Sequence, residues 1–236
     1  MLNLELLIAR SLTLPRAVSG AMRDSIRANP TKALRFGSLV PHLTGQMLKA
    51  YKLGYRSNGS TLKQSTLKAV EKDYKRRARE VLTQYQKSTN RELKAAYAKA
   101  IRNGRTRSQA IRAVLAKFRS LGMSAPASTR MQTLYNTALN ASHNQGIWDA
   151  QRSDPAIWGF RFKTMRDEAV RHPTHTQYEG VTLPKEHPFW DRVWPPLEWN
   201  CRCRIQTLKR KHKLKLPPSK EVRIPHGFKG QRFQLQ

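Results

Sequence analysis

The apolar residues of this chain change their period once, near Ile157, and that switch constrains the fold to a helical body followed by a small strand-bearing module. Between Thr66 and Asn103 the residues Leu67, Val70, Tyr74, Ala78, Val81, Tyr85, Leu93, Tyr97 and Ile101 recur at spacings of mostly three and four, which lines them along one side of an α-helix. After Ile157 the pattern alternates instead. Trp158, Phe160 and Phe162 are separated by Gly159, Arg161 and Lys163, as a half-buried strand requires. A second strand is predicted over Cys201 to Leu208, with Cys201, Cys203, Ile205 and Thr207 on one face and Arg202, Arg204 and Gln206 on the other.

Within the helical part, Ser88-Thr89-Asn90 is predicted to divide the long stretch in two, because these residues favour caps and turns over helix interiors. Gly104 ends it, and Ser108 is placed to cap a short helix carrying Ile111, Val114, Leu115 and Phe118 on one face. Gly122, Pro126 and Ser128 mark the next turn, after which Met131, Leu134, Tyr135, Ala138 and Ser142 form another helical stripe toward Trp148. Residues 1–60 carry a weaker helical pattern, interrupted by Pro15, Pro30 and Pro41 and ending in a loop from Gly54 to Gly59. Leu34, Phe36, Leu39, Val40, Leu43, Met47 and Tyr51 are too many apolar residues for a disordered tail, and docking on another chain would account for them. The fold class is therefore mainly α: a helical docking arm (1–60), a basic helical region (61–150), a small α+β strand-and-loop module (151–210) and a basic extended tail (211–236).

Charge identifies the kind of partner. Lys and Arg number 45 against 15 Asp and Glu, a formal net charge of +30, which points to a polyanion. Clustered cations gain from displacing counterions condensed on nucleic-acid phosphates, so nucleic acid is the leading candidate, and the family resemblance given below narrows it to double-stranded DNA bound without reading its sequence. The cations concentrate at Lys72, Lys75, Arg76, Arg77 and Arg79 in the long helix and at Lys209, Arg210, Lys211 and Lys213 in the tail. No run reaches the roughly 18 apolar residues that a membrane-spanning helix needs. The stretch from Leu2 to Ala9 is interrupted by Glu5 and has no basic segment ahead of it, so neither a membrane anchor nor a secretory leader is expected.

His172-x-x-His175 followed by Cys201-x-Cys203 supplies four donors of the kinds zinc prefers, and strand alternation would turn both thiolates to one side. The bland alternative is that the histidines hydrogen-bond carbonyls while the cysteines pack as small apolar groups. A bridge between cysteines two positions apart would be strained, so thiols or metal ligands are the better reading. Motifs of the zinc hydrolases, the zinc deaminases, the phosphate-cradling loops and the serine hydrolases are missing. Asp167-Glu168 is an adjacent carboxylate pair that points opposite ways and makes a poor acid/base couple. Metal-dependent cleavage of DNA through His175, His187 and Asp191 is the weaker enzymatic alternative. Trp190, Trp194 and Trp199 interleave with Arg192, Arg202 and Arg204, which fits base stacking, but core packing is the commoner role for tryptophans in so small a module.

The stretch from Arg130 to Leu208 resembles the Mu-F-like head-morphogenesis family of tailed phages, also called minor head or minor capsid proteins. The resemblance rests on Asp167, Arg171, His175, Gly180, Pro188-Phe189-Trp190, Pro195-Pro196 and, most specifically, Trp199-Asn200-Cys201-Arg202-Cys203. It implies a non-enzymatic protein that enters the procapsid beside the portal vertex. Its implied partners are the portal protein, the major capsid or scaffolding protein, and the packaged DNA. The implied location is the capsid interior, reached from the host cytoplasm during assembly. In some relatives a Cys-x-x-Cys pair stands where His172-x-x-His175 stands here, which supports a metal clip. A free DNA-binding zinc protein with no capsid role is the alternative from a different class.

Overall fold

A computed structural model of the chain describes residues 16–57, 59–120, 129–165, 174–219 and 224. Among them, six helices precede or flank a small sheet: α1 (Arg16–Ala28), α2 (Leu39–Tyr55), α3 (Gln64–Arg102), α4 (Arg107–Ser120), α5 (Thr129–Gln151), β1 (Gly159–Lys163), β2 (Thr182–Pro184), α6 (Phe189–Arg192) and β3 (Arg204–Leu208). A 3-10 turn, Thr176–Tyr178, precedes β2. The mainly helical class with a small terminal sheet is as the sequence predicts. No helix among the described residues is long and apolar enough to cross a membrane. The described residues form two compact units, one from Gln46–Glu71 and Asn136 onward, the other from the residues up to Gly45 and Lys72–Tyr135.

The helical unit is built on α3, whose Tyr74, Ala78, Val81, Leu82, Tyr85, Thr89, Leu93 and Ala100 are buried. The predicted break at Ser88-Thr89-Asn90 does not occur, because Asn90 finds a tertiary partner instead of capping a helix end. Asn90 receives the amide of Leu34 on Oδ1 at 2.8 Å and donates Nδ2 to the Leu34 carbonyl at 3.0 Å. One turn earlier, Gln86 Oε1 accepts the Phe36 amide at 2.7 Å. Gly104, at φ +70°, closes α3 as expected, with Arg105 N–H reaching back to the Ala100 carbonyl. The next helix starts one residue before the predicted cap. Thr106 is the cap, its Oγ1 accepting from Gln109 N–H while Gln109 Oε1 accepts from Thr106 N–H.

Residues Leu34, Phe36, Leu39, Val40 and Leu43 are buried within this chain, and so are Met47 and Tyr51. The apolar content that argued for docking on another chain is thus satisfied internally. Pro41 does not interrupt its helix, since it stands in the first turn of α2, where its missing N–H has no intrahelical partner to lose. Gly54 lies inside α2 rather than in a loop: a Cβ there would meet the His143 carbonyl oxygen at 1.8 Å. Gly146 has the reciprocal role, with the Tyr51 carbonyl 2.2 Å from where its Cβ would be. The two glycines let α2 and α5 approach backbone to backbone.

In the sheet unit the strand order is β2-β1-β3, antiparallel throughout, with Phe160 opposite Leu183 and Thr207 and Phe162 opposite Ile205. Phe160, Phe162, Tyr178, Phe189, Trp190 and Trp194 are fully buried together. Phe160 meets Trp190 and Trp194 edge-on at 5.8 and 5.2 Å between ring centres, and Trp148 meets Trp194 the same way at 4.7 Å. Two of the three interleaved tryptophans are therefore core, whereas Trp199 is 40% exposed. Helix α5 turns Asn140, Asn144, Ile147 and Gln151, spaced four, three and four, toward this module. Ile147 joins the aromatic core, Trp194 Nε1 donates to the Asn144 carbonyl at 3.1 Å, and Gln151 accepts from Thr207 while donating to Ser57.

The start of the basic tail is anchored on the sheet unit. Lys215 forms an antiparallel bridge with Thr182 at the edge of β2, and Ile224 packs on the aromatic core. Between those anchors and the end of β3, Arg161 contacts His212 at 3.5 Å and Trp158 lies against the same imidazole.

Candidate metal centre

His175 precedes the 3-10 turn, and Cys201 and Cys203 lie in the loop that leads into β3. All three are buried, and their donor atoms lie within 4.8 Å of one another. Cys203 Sγ is 3.5 Å from His175 Nδ1, and the other ring nitrogen, Nε2, is 3.0 Å from Glu198 Oε1. The strand predicted from Cys201 begins instead at Arg204, because the cysteine backbone is engaged elsewhere. Asn140 Nδ2 donates to the carbonyls of both Cys201 and Cys203, at 2.8 and 3.1 Å, which bends the loop around one buried amide. Asn144 Nδ2 supports that amide through the Asn140 carbonyl at 2.9 Å and its Oδ1 at 3.2 Å. The turn before Cys201 places Asn200 at φ +61°, a left-handed conformation that Asn tolerates, with its N–H on Thr137 Oγ1 at 2.8 Å.

The thiols are electrostatically unequal. Burial alone would raise Cys201, but hydrogen bonds with Cys203 and His175 outweigh it and hold this thiol well below its ordinary range. Cys203 is pushed far up, first by its hydrogen bond to Cys201 and then by burial. A cation bound here would take the place of the proton for which the two thiols compete. Two sulfurs and an imidazole, buried and convergent, suit a borderline-soft metal ion rather than magnesium or calcium. The donors present therefore fit a metal.

His172, the fourth predicted ligand, lies outside the described residues, as do Asp167 and Arg171. His187 and Asp191 do not join the centre. His187 Nδ1 accepts the Phe189 amide at 3.1 Å, and Asp191 pairs with Arg152 at 3.2 Å, so both are packing residues of the α6 turn. Glu198, Asn140 and Asn144 went unread in the sequence. The signal for the asparagines was available: two amides four apart on a helix whose neighbours Ala138, Leu139 and Ile147 are buried.

A family model described as Phage Mu protein F like protein matches residues 91–206, a span that runs from within α3 to within β3 and encloses His175, Glu198, Cys201 and Cys203. Over this segment, just under half of its length, the chain is similar to the Mu F-like family. The protein named "Putative capsid assembly protein F" of Escherichia phage Mu is 25% identical over 80 residues, which are 34% of this chain. That match spans 18% of the phage Mu protein, less than a fifth of its length. No solved structure gives a significant match.

The cations predicted to meet DNA fall into two kinds. Arg76 is tied to Asp73 at 2.6 Å and to Glu80 at 2.9 Å, and Arg77 to Asp73 at 2.7 Å. Lys72, Lys75 and Arg79 are exposed and form no ion pair among the described residues, and the latter two stand on the rim of a cleft of about 380 Å³ lined also by Phe36, Val40 and Leu82. Lys209, Arg210, Lys211 and Lys213 are likewise exposed, on a segment held at both ends by the sheet.

Proposed function

We propose that this chain is a minor head protein that takes part in phage capsid assembly. It would be carried in the particle near the portal vertex, bind packaged DNA through its phosphates, and perform no catalysis of its own. The observation that carries this reading is that the Mu F-like match encloses the whole His/Cys centre together with β1, β2 and the helix that supports them. The relative from phage Mu is named for capsid assembly, which supports the same role for this chain. Counting the chain against the major shell protein by mass spectrometry of purified DNA-filled particles tests it. A low fixed copy number is expected; absence from particles would favour a free DNA-binding protein.

The charge supplies the DNA contact. A segment tethered at both ends holds four cations in place, so less conformational entropy is lost on meeting a polyanion than by a free tail. Replacing Lys209, Arg210, Lys211 and Lys213 by Gln should lower the slope of log affinity against log salt by roughly 3 to 4, about 0.9 for each phosphate left without its cation. An unchanged slope would place the DNA contact elsewhere.

The metal is zinc in this reading, with His175, Cys201, Cys203 and His172 as ligands. Bound there, it supplies a cross-link between the 3-10 turn and the cysteine loop. Because such binding is coupled to folding, Cys201→Ser or a chelator should lower the melting temperature sharply, with a loss of several kcal/mol. A melting temperature indifferent to both would remove the metal from the proposal.

A further inference from the structure

We infer that residues 213–216 form a docking edge, to which an extended, acidic segment of a partner protein adds as a further strand. This goes beyond the head-protein reading and does not depend on it. Lys215 and Thr182 exchange both backbone hydrogen bonds, at 3.2 and 2.9 Å, so the segment lies along the outer side of β2. In an antiparallel pair, the residues on either side of such an exchange turn their N–H and C=O groups the other way. The amides and carbonyls of Leu214 and Leu216 therefore face away from the sheet, and none of them meets another backbone group among the described residues. Strand addition uses a row of this kind.

The Lys215 side chain reaches the turn before β2, its Nζ donating to the Glu179 carbonyl at 2.5 Å. Strand alternation then puts Leu214 and Leu216 together on the opposite face, where they are 50% and 68% exposed. They are two of the four large apolar side chains exposed among the described residues. A phosphate backbone makes no use of them, whereas a partner strand with apolar residues at alternate positions does. The flanking charge selects which strand. Lys211 and Lys213 are exposed and form no ion pair among the described residues, so carboxylates set against them are attracted. A second copy of this chain is disfavoured, because antiparallel pairing of two such edges sets lysine against lysine. Lysine on an edge strand guards against self-pairing, and here it leaves the edge open to an acidic strand.

The probe is a short fluorescent peptide of alternating valine and glutamate, titrated by anisotropy against the full chain. Saturable binding to the wild type is expected. Leu214→Pro removes an outward N–H that the sheet does not use, together with one leucine, and should lower peptide affinity about 10-fold. Its affinity for duplex DNA should match that of the wild type. A second arm needs no change in the protein: the same peptide methylated on its backbone nitrogens keeps every charge but cannot donate to a strand, and should bind at least about 10-fold more weakly. Absence of binding to the unmethylated peptide would overturn the inference. Equal affinity for the methylated peptide would overturn it in favour of charge attraction alone. An equal loss of peptide and DNA affinity in Leu214→Pro would return the segment to phosphate binding. Wild-type dimers in sedimentation that Leu214→Pro abolishes would replace the acidic partner by a second copy of this chain.

Discussion

Both units of this chain use a buried or half-buried asparagine to hold backbone that has no regular partner, yet the two amides sit in different company. In the helical unit Asn90 grips both polar groups of Leu34, while Gln86 takes the Phe36 amide one turn away. Around them the core is mostly aliphatic, spread along α3 through Ala78, Val81, Leu82 and Leu93. In the sheet unit Asn140 grips the carbonyls of Cys201 and Cys203, and the core beside it is a contiguous set of aromatic rings in edge-on contact. The helical unit distributes its stability over many small contacts. The sheet unit concentrates it in few large ones, which suits a module that must hold three donor groups in fixed positions.

Truncating one large side chain in each unit should separate these regimes most widely. Trp194 touches Trp148, Phe160 and Trp190 and donates its indole N–H to Asn144, so Trp194→Ala should cost about 4 to 5 kcal/mol. Leu93→Ala in α3 should cost about 2 to 4 kcal/mol, because the buried side chain it removes is smaller than an indole. Urea unfolding of the two variants checks this. A larger loss for Leu93→Ala than for Trp194→Ala would break the contrast.

The asparagines sharpen it. Asn140→Ala leaves two buried carbonyls without their donor and Asn90→Ala leaves an amide and a carbonyl, so each should destabilise by about 2 to 3 kcal/mol. Only Asn140→Ala should also weaken cobalt binding, since it alone shapes the cysteine loop. Equal metal affinity in both variants would mean that the loop holds its shape without the amide.

A smaller effect belongs to Glu179, which latches the end of β1 to the 3-10 turn. Burial alone would raise its carboxyl, but Thr164 N–H, the Lys163 ammonium and the Thr164 hydroxyl outweigh it and hold it at about 2. The folded value lies below the ordinary one of 4.5, so the latch is fully present above pH 4.5 and is lost as the pH falls through 2. After allowance for solvent screening the effect should be about 1 to 2 kcal/mol, seen as a steeper fall of melting temperature in the wild type than in Glu179→Gln over that range. Parallel curves would remove the latch.

Periodicity made the helices and the first strand legible because burial of a repeated face is a local property of sequence: α3, α4 and β1 lie where Tyr74, Val114 and Phe160 recur with their neighbours. The unbroken length of α3 and the site's supports were not legible, because each depends on a polar side chain meeting backbone far away. Asn90 looks like a helix breaker until Leu34 is placed against it, and Cys201 looks like a strand residue until Asn140 takes its carbonyl. The ligands His175, Cys201 and Cys203 could be read by residue type, whereas Glu198 carries no spacing that marks it out. The arm has a related limit, since sequence shows that Phe36 and Leu43 need burial but not that this chain supplies it.

The smallest expected effect tests the helical unit's more distributed stability at a helix end. Thr106 and Gln109 satisfy each other's backbone amides at the start of α4, at 3.3 and 2.9 Å, and both side chains are exposed. Thr106→Ala should therefore cost about 1 kcal/mol, and Ser108→Ala, at the residue that sequence favoured as the cap, should cost less than half of that. Measured by urea unfolding, the order of the two distinguishes a cap set by the Thr-x-x-Gln pairing from one set by proximity to Gly104. If Ser108→Ala were the more damaging, the start of α4 would lie nearer the position that the sequence pattern predicted, and the reciprocal pairing would contribute little to holding it.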